Sequence, residues 1–229
     1  MDTTRRCLVV FTKPSRPGLV KTRLVGELTA ERAARLHAVI LRDLLERMED
    51  GDFQTRLAWA VDPSEALPVS TIEAIRQTGE DLGERLFEGL RKMSADFDLV
   101  AAVGSDHPDL PAVIVEEAFE KLAAGCDVVL GPAADGGYYL IGVTRQSLHP
   151  QLFSEIDWST DRVLQQTLDR CQSLGLRVEE LMPLQDVDTP DDLRKLARRL
   201  ALGGGQPSPY TRSLLVEWGM IPSQGRTER

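Results

Sequence analysis

The chain has 229 residues, 42% of them hydrophobic and 28% charged, enough apolar material for one sizeable core of an ordinary soluble globular protein. Its 36 acidic residues outnumber 27 basic ones, for a formal net charge of -9, which opposes non-specific attraction to nucleic-acid phosphates or anionic membranes. No apolar run approaches the roughly 18 residues of a membrane span, no signal-peptide region follows Met1 to Arg6, and Cys7, Cys126 and Cys171 stand far apart with no CxxC pair. A cytoplasmic protein is predicted, with buried thiols and neither a disulfide framework nor a zinc site.

Cys7 to Thr12, CLVVFT, reads as a strand that stops at Lys13-Pro14-Ser15-Arg16-Pro17-Gly18, where turn residues cannot continue it. From Thr29, an N-cap, to about Glu49, the residues Ala33, Leu36, Val39, Ile40, Leu44 and Met48 recur at helical spacing. A second strand spans Thr55 to Val61, an ambiguous stretch follows, and a helix begins near Asp81. Asp98 to Val103 is an apolar run too short for a helix and suits a strand covered on both faces. Helix 111–124, strands at 127–130 and 138–143, a helix capped by Ser159 or Thr160 and ending at Leu174, and a strand at 177–181 complete the alternation. Thr189-Pro190-Asp191-Asp192 then opens a helix, with Thr at N-cap, Pro at N1 and acid where the dipole favours it.

This βαβα order predicts an α/β protein: an open, mostly parallel sheet with helices on both faces. One domain is expected over 1–202, followed over 203–229 by a Gly/Pro-rich linker and a C-terminal tail that either forms a helical turn or hangs free.

In such sheets ligands bind outside the carboxyl ends of the strands, and the unusual residues fall there. Lys13, Arg16, Lys21 and Arg23 form a basic cluster in an acidic protein and read as a phosphate clamp, the alternative being a solvated loop. Lys21-Thr22 follows Val20 rather than Gly, so it is not a Walker A loop, and no GxGxxG is present. Asp106 and Asp109 lie just past a buried strand, where a carboxylate can reach a divalent cation bridging a diphosphate; Asp109 is equally a helix cap, and His107 a local loop group. Gly131 to Tyr139 places an acid, Asp135, beside Gly136 and Gly137, which allow close backbone approach; an ordinary Asp-Gly turn is the bland alternative. Asp186 and Asp188 present two same-face carboxylates ahead of the last capped helix.

Together, FTKPSRPGLVKTRL, DLGERL, GSDHPDL, LGPAADGGYYLIG, IDWST and DVDTPDDL, in that order, resemble the glycosyltransferase-A-like nucleotide-diphospho-sugar transferases. Within them the chain is most similar to the bacterial "transferase 1" group associated with radical-SAM/selenium-domain proteins, the arsenosugar-biosynthesis-type glycosyltransferases. It is more distantly similar to phospholactate guanylyltransferases and molybdenum-cofactor nucleotidyltransferases. The resemblance covers about Leu8 to Leu200 and departs from the plain Asp-x-Asp of many metal-dependent glycosyltransferases at GSDHPD.

The resemblance implies a Rossmann-like three-layer α/β/α sheet, a nucleotide-sugar donor and Mg²⁺ or Mn²⁺. Lys13, Lys21 and Arg23 would bind the donor phosphates. Asp106 would hold the metal and serve catalysis, with Asp188 as second ligand; Gly136, Gly137 and Tyr138 would face sugar or acceptor, and Asp135 would be the base. Transfer of the glycosyl group to a small-molecule acceptor is the expected reaction. Nucleotidyl transfer from a nucleoside triphosphate, and a nucleotide-binding module without activity, are the alternatives, and a homodimer is left open.

Overall fold

The computed structural model describes residues 4–222. Its strands are β1 (Arg6–Thr12), β2 (Gln54–Trp59), β3 (Ala74–Arg76), β4 (Leu99–Gly104), β5 (Val128–Pro132), β6 (Tyr138–Thr144) and β7 (Val178–Glu180). Its helices are α1 (Ala30–Met48), α2 (Leu82–Ser94), α3 (Ala112–Ala123), α4 (Val163–Ser173), α5 (Pro190–Ala201) and α6 (Pro209–Glu217). The strands form one sheet in the order β3-β2-β1-β4-β6-β5-β7. All pairings are parallel except those of β6, which returns from β5 through a tight turn and so runs against both neighbours. The mostly parallel α/β sheet expected from the alternation is the architecture found.

Strand residues alternate between two cores, as a sheet covered on both faces requires. Leu8, Val10, Leu99, Ala101 and Val103 meet α1 and α3 through Leu44, Val115 and Phe119. Cys7, Val9, Phe11, Val100 and Ala102 meet α2 and α4 through Leu86, Leu90 and Cys171. All three cysteines are buried and unpaired, and burial pushes the Cys7 thiol up to about 12. No helix among the described residues is long and apolar enough to cross a membrane.

Local signals set the helix starts. The Thr29 hydroxyl accepts the Arg32 amide and the Thr189 hydroxyl that of Asp192, the two N-caps the sequence predicts; the Asp192 carboxylate also accepts the Thr189 amide, completing a capping box. The start of α4 differs. Ser159 takes a left-handed backbone, φ 67°, and the Thr160 hydroxyl donates to the Asp157 carbonyl, so neither caps the helix, which begins at Val163. Strand β3, inside the ambiguous stretch, has three half-buried edge residues, too few for periodicity to register.

The segment expected as linker and tail is built into the fold as far as Pro222; residues 223–229 lie outside the described residues, as do Met1 to Thr3. Leu214 and Leu215 of α6 join Leu36 and Ile40 of α1 and Leu196 and Leu200 of α5 in a third apolar cluster. Asp43, buried in α1, accepts the Tyr210 and Thr211 amides at the start of α6.

Candidate active site

From β1 the chain lays β2 and β3 outward on one side and then crosses to β4 on the other, so the strand order reverses between β1 and β4. Loops leave in opposite directions at such a point and open a crevice at the carboxyl ends. A cleft of about 370 Å³ lies there, lined by Thr12 and Lys13 after β1, Gly104 to Asp106 after β4, Gln77 after β3, residues 19–23 of the basic loop, and Asp188.

Four of the predicted residues meet at one end of this cleft. Lys21 Nζ lies 2.5 Å from Asp106 Oδ1 and 3.3 Å from Asp188 Oδ1, and donates to the Val187 carbonyl at 2.6 Å. Arg23 Nη1 reaches Asp188 Oδ2 at 3.4 Å. The Lys21 side chain is only 1% exposed, whereas Arg23 stands in solvent. Withdrawal from water works to raise the Asp106 carboxyl, but the Lys21 ammonium beside it outweighs that and holds it below the usual carboxylate range. Lys13 lines the cleft at the end of β1. Arg16 points elsewhere, onto Glu65 in an exposed bidentate pair.

Asp186 is half-buried beside these groups. Burial, followed by the neighbouring Asp188 and Asp135 carboxylates, raises it to about 6. His107 is buried against Tyr139, and burial holds it down to about 4 against the pull of Asp106. Asp109 does not join the cluster; it pairs with Arg199 of α5.

The glycine turn does not line the cleft itself, but its Asp135 lies close enough to act electrostatically on Asp186 and His107 beside it. Asp135 Oδ1 accepts the Gly137 amide at 3.0 Å, closing a local turn and leaving the carboxylate exposed. Gly136, at φ +88°, sits where a Cβ would come within 2.3 Å of the Asp161 carbonyl, and its own carbonyl accepts the Leu164 amide. Tyr138 meets Trp158 edge-on, 6.4 Å between ring centroids, on the α2/α4 side of the sheet. In this arrangement Gly136 and Tyr138 touch protein, because the turn is clamped by the segment carrying IDWST. Gly83 of DLGERL joins the same contact, with a would-be Cβ 2.5 Å from the Phe153 carbonyl and 2.8 Å from Trp158 Nε1. Three of the six motifs therefore meet in one packing cluster beside the site.

Sequence reasoning missed the cleft floor. His37 of α1, 3% exposed, places Nδ1 2.8 Å from Ser15 Oγ, and Nε2 3.2 Å from Ser105 Oγ and 3.4 Å from Thr12 Oγ1. Burial, aided by the Lys21 and Lys13 ammonium groups and opposed by Asp106, keeps His37 below its ordinary pKa and so favours the neutral ring. Gln77 donates to the Thr12 and Ala58 carbonyls, bracing the ends of β1 and β2. The available signal was a histidine beside Leu36 on the apolar face of a long helix, which periodicity counts as core.

A Rossmann-like sheet with a cation- and carboxylate-lined cleft at its switch point defines the class: the fold of the nucleotide-diphospho-sugar transferases. The chain belongs to the DUF2064 family, described as an uncharacterized protein conserved in bacteria, whose model matches residues 44–160. It is 32% identical to a protein of Desulfovibrio desulfuricans G20 described provisionally as a nucleotide-diphospho-sugar transferase, with a TM-score of 0.87 over 96% of this chain and 97% of that one. The fold is also that of a CMP:2-keto-3-deoxy-manno-octonic acid synthetase complexed with CTP (16% identity, TM-score 0.57, 87% of this chain and 100% of that). A Mycobacterium tuberculosis protein complexed with manganese shares it as well (19% identity, TM-score 0.51, 84% and 98%). No curated protein matches the chain. The likeness to a nucleotide-diphospho-sugar transferase, read from the motifs, therefore holds, and the CTP-bound synthetase shares the fold.

Proposed function

We propose that this protein is a transferase that binds a nucleoside diphosphate-sugar in the cleft between β1 and β4 and passes the glycosyl group to a small acceptor. The observation that carries this reading is the convergence of Lys13, Lys21 and Arg23 with Asp106 and Asp188 at the strand carboxyl ends. Ammonium and guanidinium groups there suit a diphosphate in charge and hydrogen-bonding capacity. Lys13 and Arg23 sit where the open cleft admits phosphates, and Lys21 lies at its inner wall.

A Mg²⁺ or Mn²⁺ ion belongs to this reading. Among the described residues no group of three or more His, Cys, Asp or Glu is placed to hold one. The donor set nevertheless fits, since Asp106, Asp188 and the Val187 carbonyl present hard oxygens to one point, now taken by Lys21. Mg²⁺ commonly uses one or two carboxylates and leaves its other positions to water and phosphate. A cation held there would neutralise charge on the diphosphate.

In glycosyl transfer the acceptor hydroxyl attacks the anomeric carbon, the bond from that carbon to the diphosphate oxygen breaks, and the electron pair leaves with the diphosphate. Lys13 and Arg23 stabilise the departing charge. Asp135 is the proposed base for the acceptor proton; its Oδ1 is held by the Gly137 amide while the carboxylate stays exposed. Gly137 would bring its backbone toward the acceptor, whereas Gly136 and Tyr138 would shape that side through the Asp161 and Trp158 contacts. A second reading, nucleotidyl transfer from a triphosphate, is favoured by the shared fold with the CTP-bound synthetase. There the acceptor attacks the α-phosphorus and pyrophosphate leaves.

Calorimetry and thermal shift with UDP, GDP, UDP-sugars, CTP and GTP, each with Mn²⁺, Mg²⁺ or chelator, test the proposal. Metal-dependent stabilisation by a diphosphate and its sugar, weakened in Asp106→Ala, is expected. Preference for a triphosphate selects the second reading, and no response from any nucleotide rejects both.

A further inference from the structure

We propose that the Lys21 ammonium is an exchangeable internal cation: it fills the point between Asp106 and Asp188 in the ligand-free protein, and an entering divalent cation releases it to the donor's diphosphate. The inference rests on the proposed diphosphate site and concerns how that site is governed.

Three observations carry it. Lys21 Nζ contacts Asp106, Asp188 and the Val187 carbonyl together, so the oxygens a hard cation would use are already committed to one ammonium. Its side chain is 1% exposed, whereas those of Asp106 and Asp188 are 44% and 32% exposed, so the ammonium lies buried behind carboxylates that an entering ion can reach. The neighbouring His107, 7% exposed, has an Nδ1 with no hydrogen-bond partner among the described residues, so polar capacity beside the cluster is unused in the ligand-free state.

Electrostatics then forces a choice. Two cations cannot share the same oxygens, because like charges at contact distance in a partly buried site repel strongly. Either the divalent ion stays out or Lys21 leaves. Lysine can leave: its flexible four-carbon stem lets the ammonium move, and the cleft that also presents Lys13 and Arg23 adjoins it. Released there, it would add a third positive group to the diphosphate pocket at the moment the metal arrives. Metal and diphosphate would bind with positive cooperativity, each favouring the same position of Lys21.

The test is titration of nucleotide-free protein with Mn²⁺ alone, followed by electron paramagnetic resonance of the free ion, for wild type, Lys21→Met and Lys21→Gln. Lys21→Gln keeps a donor for the Val187 carbonyl and serves if Lys21→Met misfolds, with near-UV circular dichroism reporting the fold. Both variants should bind Mn²⁺ at least tenfold more tightly than wild type. Inorganic pyrophosphate should tighten Mn²⁺ binding to wild type several-fold more than to either variant. Mn²⁺ affinity unchanged or weaker in folded variants overturns the exchange, and an equal pyrophosphate effect in all three overturns the coupling. Failure of the nucleotide panel on wild type would instead reject the proposed function, so the two failures are separable.

Discussion

His37 Nδ1 lies 2.8 Å from Ser15 Oγ, joining the middle of α1 to the loop that carries the basic cluster. With Thr12 and Ser105 on its other nitrogen, the ring ties together the ends of β1 and β4 and the loop above them. His37→Leu should lower stability by about 1–3 kcal/mol, since it removes these bonds from a buried site. It should also weaken pyrophosphate binding by loosening the loop. Urea unfolding and calorimetry check the two effects, and a variant unchanged in both would remove His37 from the site's framework.

Gly136 combines φ +88° with a would-be Cβ 2.3 Å from the Asp161 carbonyl. Gly136→Ala therefore meets backbone in a conformation that side chains rarely adopt, and should lose about 1–3 kcal/mol. Because the clash falls on the segment bearing Trp158, tryptophan fluorescence should shift as well. A variant with wild-type stability and emission would show that the turn and this segment are not clamped.

Asp127 supplies the pH dependence. Its carboxylate accepts the Arg177 amide and the Ser147 hydroxyl, both at 2.9 Å, and these bonds hold its pKa below the usual aspartate value. A lowered folded pKa means the stabilisation is complete above the unfolded value, about 3.9, and disappears as pH falls through the folded one. Asp127→Asn should cost about 1–2 kcal/mol at pH 7, and the gap to wild type should begin to narrow as pH falls below about 4. Denaturant melts from about pH 2 to 7 decide; a gap that does not narrow toward the acid end contradicts the assignment.

Asp43 reaches 168 residues along the chain to accept the Thr211 amide at 2.8 Å, and also accepts that of Tyr210 at 3.1 Å. A buried carboxylate at a helix N-terminus satisfies orphan amides and meets the positive end of the dipole. Asp43→Ala should destabilise by about 1–2 kcal/mol, and hydrogen exchange should quicken in α6 before the sheet. Uniform loosening of the whole chain would mean that α6 and the sheet open as one unit.

Much of the fold was legible because it is locally encoded. β1 and β4 are short apolar runs ended by turn residues, and the caps at Thr29 and Thr189 act within three residues of themselves. Where local signals compete, they mislead: Ser159 and Thr160 look like caps, but their groups serve a turn before α4. The third strand was too short to show a period, and α6 is a nine-residue helix anchored by side chains from α1 rather than by its own pattern.

By itself the sequence determined the βα alternation, the placing of charged residues after strands, and the motifs that align the chain with its family. Periodicity and capping act over a few residues, so a linear reading captures them. Only the tertiary structure decided that Lys21 meets Val187, 166 residues away, between Asp106 and Asp188, or that His37 forms the floor beneath them. Those meetings depend on strand order and on where the sheet reverses direction. They are set by the joint burial of two core faces, which no single segment specifies.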